Sequence, residues 1–113
     1  MIKKMTLSIF FVFIFFSFAS AAKVYPNPWI PESKNGSQGT LAGGITFAEL
    51  PTDGGEIDIY SVSGEIVRKL RWDYGSTVNW DGKNDLDEYV ASGVYMWVIK
   101  GSSSKNTKIV IIR

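Results

Sequence analysis

The chain has 113 residues, the size of a single domain, and its twelve Lys and Arg against eleven Asp and Glu give a net charge of +1. It has no cysteine and no histidine, which excludes thiol catalysis, Cys-based metal sites, a disulfide framework, and histidine as general base or metal ligand. No run of five or six like charges occurs and no basic footprint is visible, so nucleic acid is excluded as a partner.

The chain opens with Lys3 and Lys4, followed by Leu7 to Phe18, which is almost wholly apolar, and the small residues Ala19, Ser20, Ala21 and Ala22. A basic start, a short apolar stretch and an A-x-A site predict a secretory signal peptide over residues 1–22, cut after Ala21 or Ala22. The competing reading is a retained membrane anchor, since Met5 to Ala22 is uncharged and close to the shortest span of a bilayer. The small-residue ending and the lack of a cationic stop cluster favour cleavage. Membrane contact is then expected only through an uncleaved signal segment. Without cysteine there is no lipid-attachment site either. Residues 23–113 remain as one domain. It must stabilise itself by packing, with Trp29, Trp72, Trp80, Trp97 and five tyrosines available.

Val24-Tyr25-Pro26-Asn27-Pro28-Trp29 reads as a rigid extended segment, because each proline fixes its own φ and biases the residue before it. Lacking amide donors, it fits only a sheet edge. Asn35 to Gly44 is a turn-rich loop. Ile45 to Leu50 is a strand stopped by Pro51, and Thr52-Asp53-Gly54-Gly55 a hairpin turn. Glu56-Ile57-Asp58-Ile59-Tyr60 alternates with period two, which predicts a half-buried strand. Ser63-Gly64 turns the chain into Glu65 to Trp72, a strand of imperfect pattern. Its helical alternative is too short to stand alone. Ser76 to Trp80 is a short strand ending at Asp81-Gly82, and Lys83 to Glu88 a polar loop. Val94 to Ile99 is apolar on both faces, as in a central strand. Gly101 to Ser104 is a turn, and Lys108 to Arg113 a closing strand, apolar throughout Ile109 to Ile112 and so expected to be central or paired. About seven short strands at regular spacing predict an all-β antiparallel sandwich.

Five stretches also carry a family resemblance. Tyr25-Pro26-Asn27-Pro28-Trp29 resembles a "YPNPF" opening, and Ile57 to Leu70 a "V-x-I-Y-D-x-x-G-x-x-V-R-x-L" hairpin. Val78 to Asp85 resembles "V-x-W-D-G-R-D-D", Ala91 to Trp97 "A-S-G-V-Y-F-Y", and Lys108 to Arg113 "K-K-M-V-L-L-R". Together they resemble the FlgD/Vpr-type immunoglobulin-like domain of the flagellar hook-capping protein and many exported bacterial proteins. That domain is close to the C-terminal sorting domains of type IX secretion cargo. The resemblance implies an immunoglobulin-like β-sandwich of about seven strands. It assigns structural roles to Pro26, Asn27, Pro28, Trp80, Asp81, Gly82, Gly93 and Tyr95. Ser61 stands where the family often has Asp, and Leu86-Asp87-Glu88-Tyr89 lacks the family's usual glycine. Hook-capping needs a further N-terminal region and is not carried over.

In Trp80-Asp81-Gly82, burial of the ring, an indole N–H on a carbonyl, amide capping by Asp81 and positive φ at Gly82 are expected. Asp81, Asn84, Asp85, Asp87 and Glu88 crowd one loop. Asp81, Asp85 and Asp87 are weak calcium candidates, since the spacing is not that of a calcium loop. The bland reading is an acidic solvated turn. The same carboxylates make no hydrolase pair, because nothing predicts a cleft that would raise one pKa. Tyr95 and Trp97, with Trp72 or Tyr74, are either a flat aromatic platform for sugars or covered core residues. Trp29, Trp72 and Trp97 are the ligand-binding candidates.

No catalytic constellation, cofactor or metal emerges, so a non-enzyme is expected. The expected function is an exported structural, adhesive or protein-binding module at the cell envelope, periplasmic, cell-surface or extracellular, with an envelope or secretion-machinery protein as partner. Two alternatives are a type IX sorting domain or small cargo read through its C-terminal strand, and a carbohydrate-binding module with a glycan as partner.

Overall fold

The computed structural model describes residues 22–34, 36–101 and 107–113. The expected signal peptide therefore lies, Ala22 apart, outside the described residues, as do Asn35 and most of the turn after Gly101. Among the described residues there are seven strands and no helix: β1 (Lys23–Tyr25), β2 (Ile45–Ala48), β3 (Gly55–Ser61), β4 (Ile66–Trp72), β5 (Val78–Trp80), β6 (Gly93–Ile99) and β7 (Thr107–Ile111). They form two antiparallel sheets, ordered β1-β2-β5 and β4-β3-β6-β7.

The sheets share one core. Trp29, Ile45, Phe47 and Trp80 meet Ile57, Ile59, Leu70, Trp72, Tyr95, Trp97, Ile109 and Ile111 of the four-stranded sheet. Phe47 stands edge-on to Trp97 with centroids 5.0 Å apart, and Trp80 edge-on to Tyr95 at 6.3 Å. This is the arrangement in which an aromatic edge meets an aromatic face.

The imperfect pattern of β4 has a physical cause. Ile59 pairs with Arg68 and Tyr60 with Ile66, so the register slips and Val67 is the extra residue of a bulge. Past the bulge Leu70 and Trp72 point inward, while Lys69 and Arg71 remain exposed. The helical alternative for this segment is not what forms. In β3 the expectation of half-burial needs correction. Ile57 and Ile59 are fully buried, but the alternate residues Glu56 and Asp58 are buried as well. β3 is an inner strand, and long cationic side chains from its neighbours cover its outward face.

The extended N-terminal segment serves both sheets. β1 is an edge of the three-stranded sheet and ends at Pro26, which cannot continue the ladder. After cis bonds at Tyr25–Pro26 and Asn27–Pro28, the chain crosses to β7 of the other sheet. There the Trp29 amide donates to the Val110 carbonyl at 2.8 Å, and the Ile112 amide donates to the Trp29 carbonyl at 3.0 Å. β7, expected to be central or paired, is last in its sheet, yet Trp29 runs parallel to it at Ile111.

Two glycines receive the Trp29 ring. A Cβ on Gly39 would lie 2.8 Å from its Cδ1, and one on Gly82 2.5 Å from its Cζ3. Gly82 also has φ +81°, where side chains are unfavourable. Gly64 has a similar φ of +92° but open space around it. Gly64→Ala is therefore expected to cost about 1 kcal/mol, from backbone conformation alone. Gly82→Ala adds overpacking against a fully buried indole, for about 3 kcal/mol in all. Urea unfolding of both variants checks this, and equal losses would mean the Trp29 slot yields freely.

Candidate functional site

The residues singled out by the sequence fall into two groups around Trp29. In the first, Asn27 acts as an extra peptide unit on the free edge of β7. Its Nδ2 donates to the Lys108 carbonyl at 2.7 Å, and its Oδ1 accepts the Val110 amide at 2.9 Å. With the two Trp29 bonds, the outward backbone groups from Lys108 to Ile112 are satisfied by residues 27–29. Pro28 links the two and is half-buried, and Pro26 lies against Gly39. The Trp29 indole N–H completes the clamp by donating to the Thr40 carbonyl at 3.1 Å.

The second group is the turn after β5. Trp80 is fully buried and its N–H donates to the Lys83 carbonyl at 2.8 Å. Asp81 Oδ1 accepts the Lys83 amide at 2.9 Å, and Gly82 closes the turn over Trp29. Gly93 opens β6, and two residues on, the Tyr95 hydroxyl donates to the Ala91 carbonyl at 2.7 Å. Burial raises the Tyr95 phenol above its ordinary pKa of 10.0.

The weak calcium candidates meet cations instead. Asp81 is 3.1 Å from Arg68, Asp85 is 3.8 Å from the same guanidinium, and Asp87 is 3.5 Å from Lys83. Among the described residues no three acidic side chains converge. Arg68 also donates to the Lys83 carbonyl at 2.9 Å, so it organises the loop from β4. Sequence reading missed it because the bulge at Val67 breaks the alternation: past it Arg68, Leu70 and Trp72 share the inward phase, where an arginine needs a partner. Asn84 is a second omission. Its Oδ1 accepts the amides of Leu86 and Glu88 at 2.9 and 3.0 Å, and this closes the loop.

The three ligand candidates are all inside. Trp29 is fully buried, while Trp72 and Trp97 are nearly so. Tyr95 is buried with them, and Tyr74 alone of the imagined platform is exposed, at 83%. These rings are core residues and present no face on which a sugar could stack. The Trp72 N–H donates to the Pro51 carbonyl at 2.8 Å. A shallow depression of about 440 Å³ lies beside Trp72, lined by Glu56, Arg71, Asp73 and Lys100.

A feature that the sequence did not single out occupies the outer face of the four-stranded sheet. Glu56 and Asp58, two apart on β3, lie side by side. Lys69, Arg71 and Lys100 approach Glu56 at 3.6, 3.3 and 3.9 Å. Asp58 is pushed above the ordinary carboxylate range by burial and by the adjacent Glu56. Glu56 is held below its ordinary value by the hydrogen bond from Asp58 and then by Lys100, Lys69 and Arg71. Beside the acids runs an apolar strip. Tyr60 pairs with Met96, Val94 with Val110, and Asp58 with Val98. Val94 is 37% exposed and Ile112 47%.

No protein-family model matches the chain, and no curated protein matches it. Among solved structures it is similar to PorZ of Porphyromonas gingivalis, an essential bacterial surface component of the type IX secretion system. The identity is 26% and the TM-score 0.61, over 82% of this chain and 12% of that one. The chain thus corresponds to a small part of PorZ.

Two outcomes test the geometry of these groups. Asn27→Ala leaves the Lys108 carbonyl and Val110 amide without partners and is expected to cost about 1–2 kcal/mol. Hydrogen exchange at Val110 should accelerate more than at Ile109, whose partners are on β6; uniform acceleration would contradict the edge role. Asp58 binds its proton more tightly folded than unfolded, so its contribution is present in acid and is lost as pH rises through the raised pKa. Glu56 behaves oppositely: its contribution is present above its ordinary 4.5 and is lost as pH falls through the lowered pKa. Asp58→Asn removes the former, while its amide N–H can still donate to Glu56. Its urea midpoint relative to wild type should be higher at pH 8 than at pH 4, and the reverse order would contradict the burial assignment.

Proposed function

We infer that this chain is an exported, non-catalytic immunoglobulin-like β-sandwich module, acting at the cell envelope through a protein partner of the type IX secretion apparatus. The observation that carries the reading is the likeness to part of PorZ, over most of this chain. The strand order supports the immunoglobulin-like assignment. Three strands β1-β2-β5 face four strands β4-β3-β6-β7, as strands A-B-E face C′-C-F-G in that architecture. Tyr95, near the start of β6 with its hydroxyl on the backbone four residues upstream, corresponds to the tyrosine corner. The basic start and apolar stretch before Ala22 support export. The lack of His and Cys supports a binding rather than a catalytic role.

A second reading, in which the chain is itself cargo sorted through β7, draws on the same likeness. In the folded chain that strand offers Lys108, Val110, Ile112 and Arg113 to a reader, because Ile109 and Ile111 are in the core.

The test is location. A tagged chain is expressed in a type IX-bearing bacterium and in a derivative lacking the machinery, and whole cells are treated with protease. The expected result is digestion at the surface of the first strain and protection in the periplasm of the second. Identical location in both strains would remove the type IX connection.

A further inference from the structure

We propose that the partner binds the outer face of the four-stranded sheet, across Tyr60, Val94, Met96, Val110 and Ile112, and that it presents an apolar surface with a carboxylate set against Lys108. This rests on the type IX reading and names its docking surface. Strand addition at an edge is the competing route, but the long edge at β7 is closed and that at β4 is obstructed. On β7, Asn27 and Trp29 occupy the outward backbone groups from Lys108 to Ile112. On β4, the Asp85 amide takes the Val67 carbonyl at 3.0 Å, and Lys69 and Arg71 set charges along the remainder. The edges of the other sheet are three-residue strands, β1 running directly into Pro26.

The face has what the edges lack. Val94 and Val110 stand directly opposite each other, as do Tyr60 and Met96. They leave part of their apolar surface in water on strands whose inward residues are already in the core. Such a strip rimmed by polar residues is the mark of an interface. Lys108 sits opposite Met96, and Lys69, Arg71 and Lys100 bound the acid pair. Glu56 engages Lys69, Arg71 and Lys100, and Asp53 and Asp73 lie beside Arg71 and Lys100, so that end of the face is balanced. Lys108 stands in the strip opposite Met96 with no ion-pair partner among the described residues, and the group that complements it is a carboxylate.

The experiment uses the full chain in the same two strains. Val94→Glu and Lys108→Glu place negative charge in the strip, and Thr46→Glu places it on the outer face of the other sheet as a control. Circular dichroism and thermal melts of the purified variants confirm folding. If a strand substitution fails to fold, Lys100→Glu, in the turn after β6, is read instead. Surface exposure is expected to fall at least fivefold for the face variants and to stay at the wild-type level for Thr46→Glu. Face variants displayed like wild type, while wild type still requires the machinery, would overturn the docking surface and leave the function standing. Wild type displayed equally without the machinery would overturn both.

Discussion

The Trp29 ring lies between Gly39 and Gly82, at distances where neither position admits a Cβ, and its backbone pairs with β7. Its N–H is taken by Thr40. Three segments therefore close on this one residue of the N-terminal arm: the 36–44 loop, the turn after β5 and the last strand. The chain has no disulfide to hold them. A domain of this size buries a modest fraction of its surface. Filling one slot completely with the largest side chain, with its polar atom satisfied, does what a cross-link does in small disulfide-bonded domains. Because the slot is made by three segments at once, loosening any one of them exposes the same indole.

The same economy governs the sheet edges. An edge strand offers unpaired amides and carbonyls to any other strand. Here they are met by side chains acting as backbone, Asn27 on β7, and by a loop drawn in by Arg68 on β4. The Asn27 amide is a peptide group held by one rotatable stem. It reproduces the donor–acceptor spacing of a strand where flanking prolines prevent one from forming. Obstructing the edges this way keeps the chain from pairing with its neighbours.

Strand positions were legible in the sequence because period-two burial and turn residues act locally. Ile57 and Ile59, Trp80 before Asp81-Gly82, and the apolar run from Val94 to Ile99 all stand where the pattern puts them. What was not legible depends on residues brought together by topology. The burial of Glu56 beside Asp58 brings in Lys69 from β4 and Lys100 after β6, and alternation alone puts both acids in water. The pairing of Trp29 with Ile111 spans nearly the whole domain. The tryptophans suggested a sugar platform because composition gives an aromatic's presence and not its direction. The bulge at Val67 hid the phase of β4, and with it the role of Arg68.

These constraints bear on how the last strand can be recognised. β7 supplies Ile109 and Ile111 to the core, and its edge supplies the partners of Asn27 and Trp29. Removing Lys108 to Arg113 would thus take out part of the core and free the N-terminal arm together. A loss of export after such a deletion would report unfolding as much as lost recognition. A machinery component that reads the folded chain meets only alternate side chains of this strand, set beside Val94 and Met96 of β6. Recognition of β7 in the folded state is therefore inseparable from recognition of the sheet face it completes. An extended C-terminal peptide, stripped of β6, would not present the same surface.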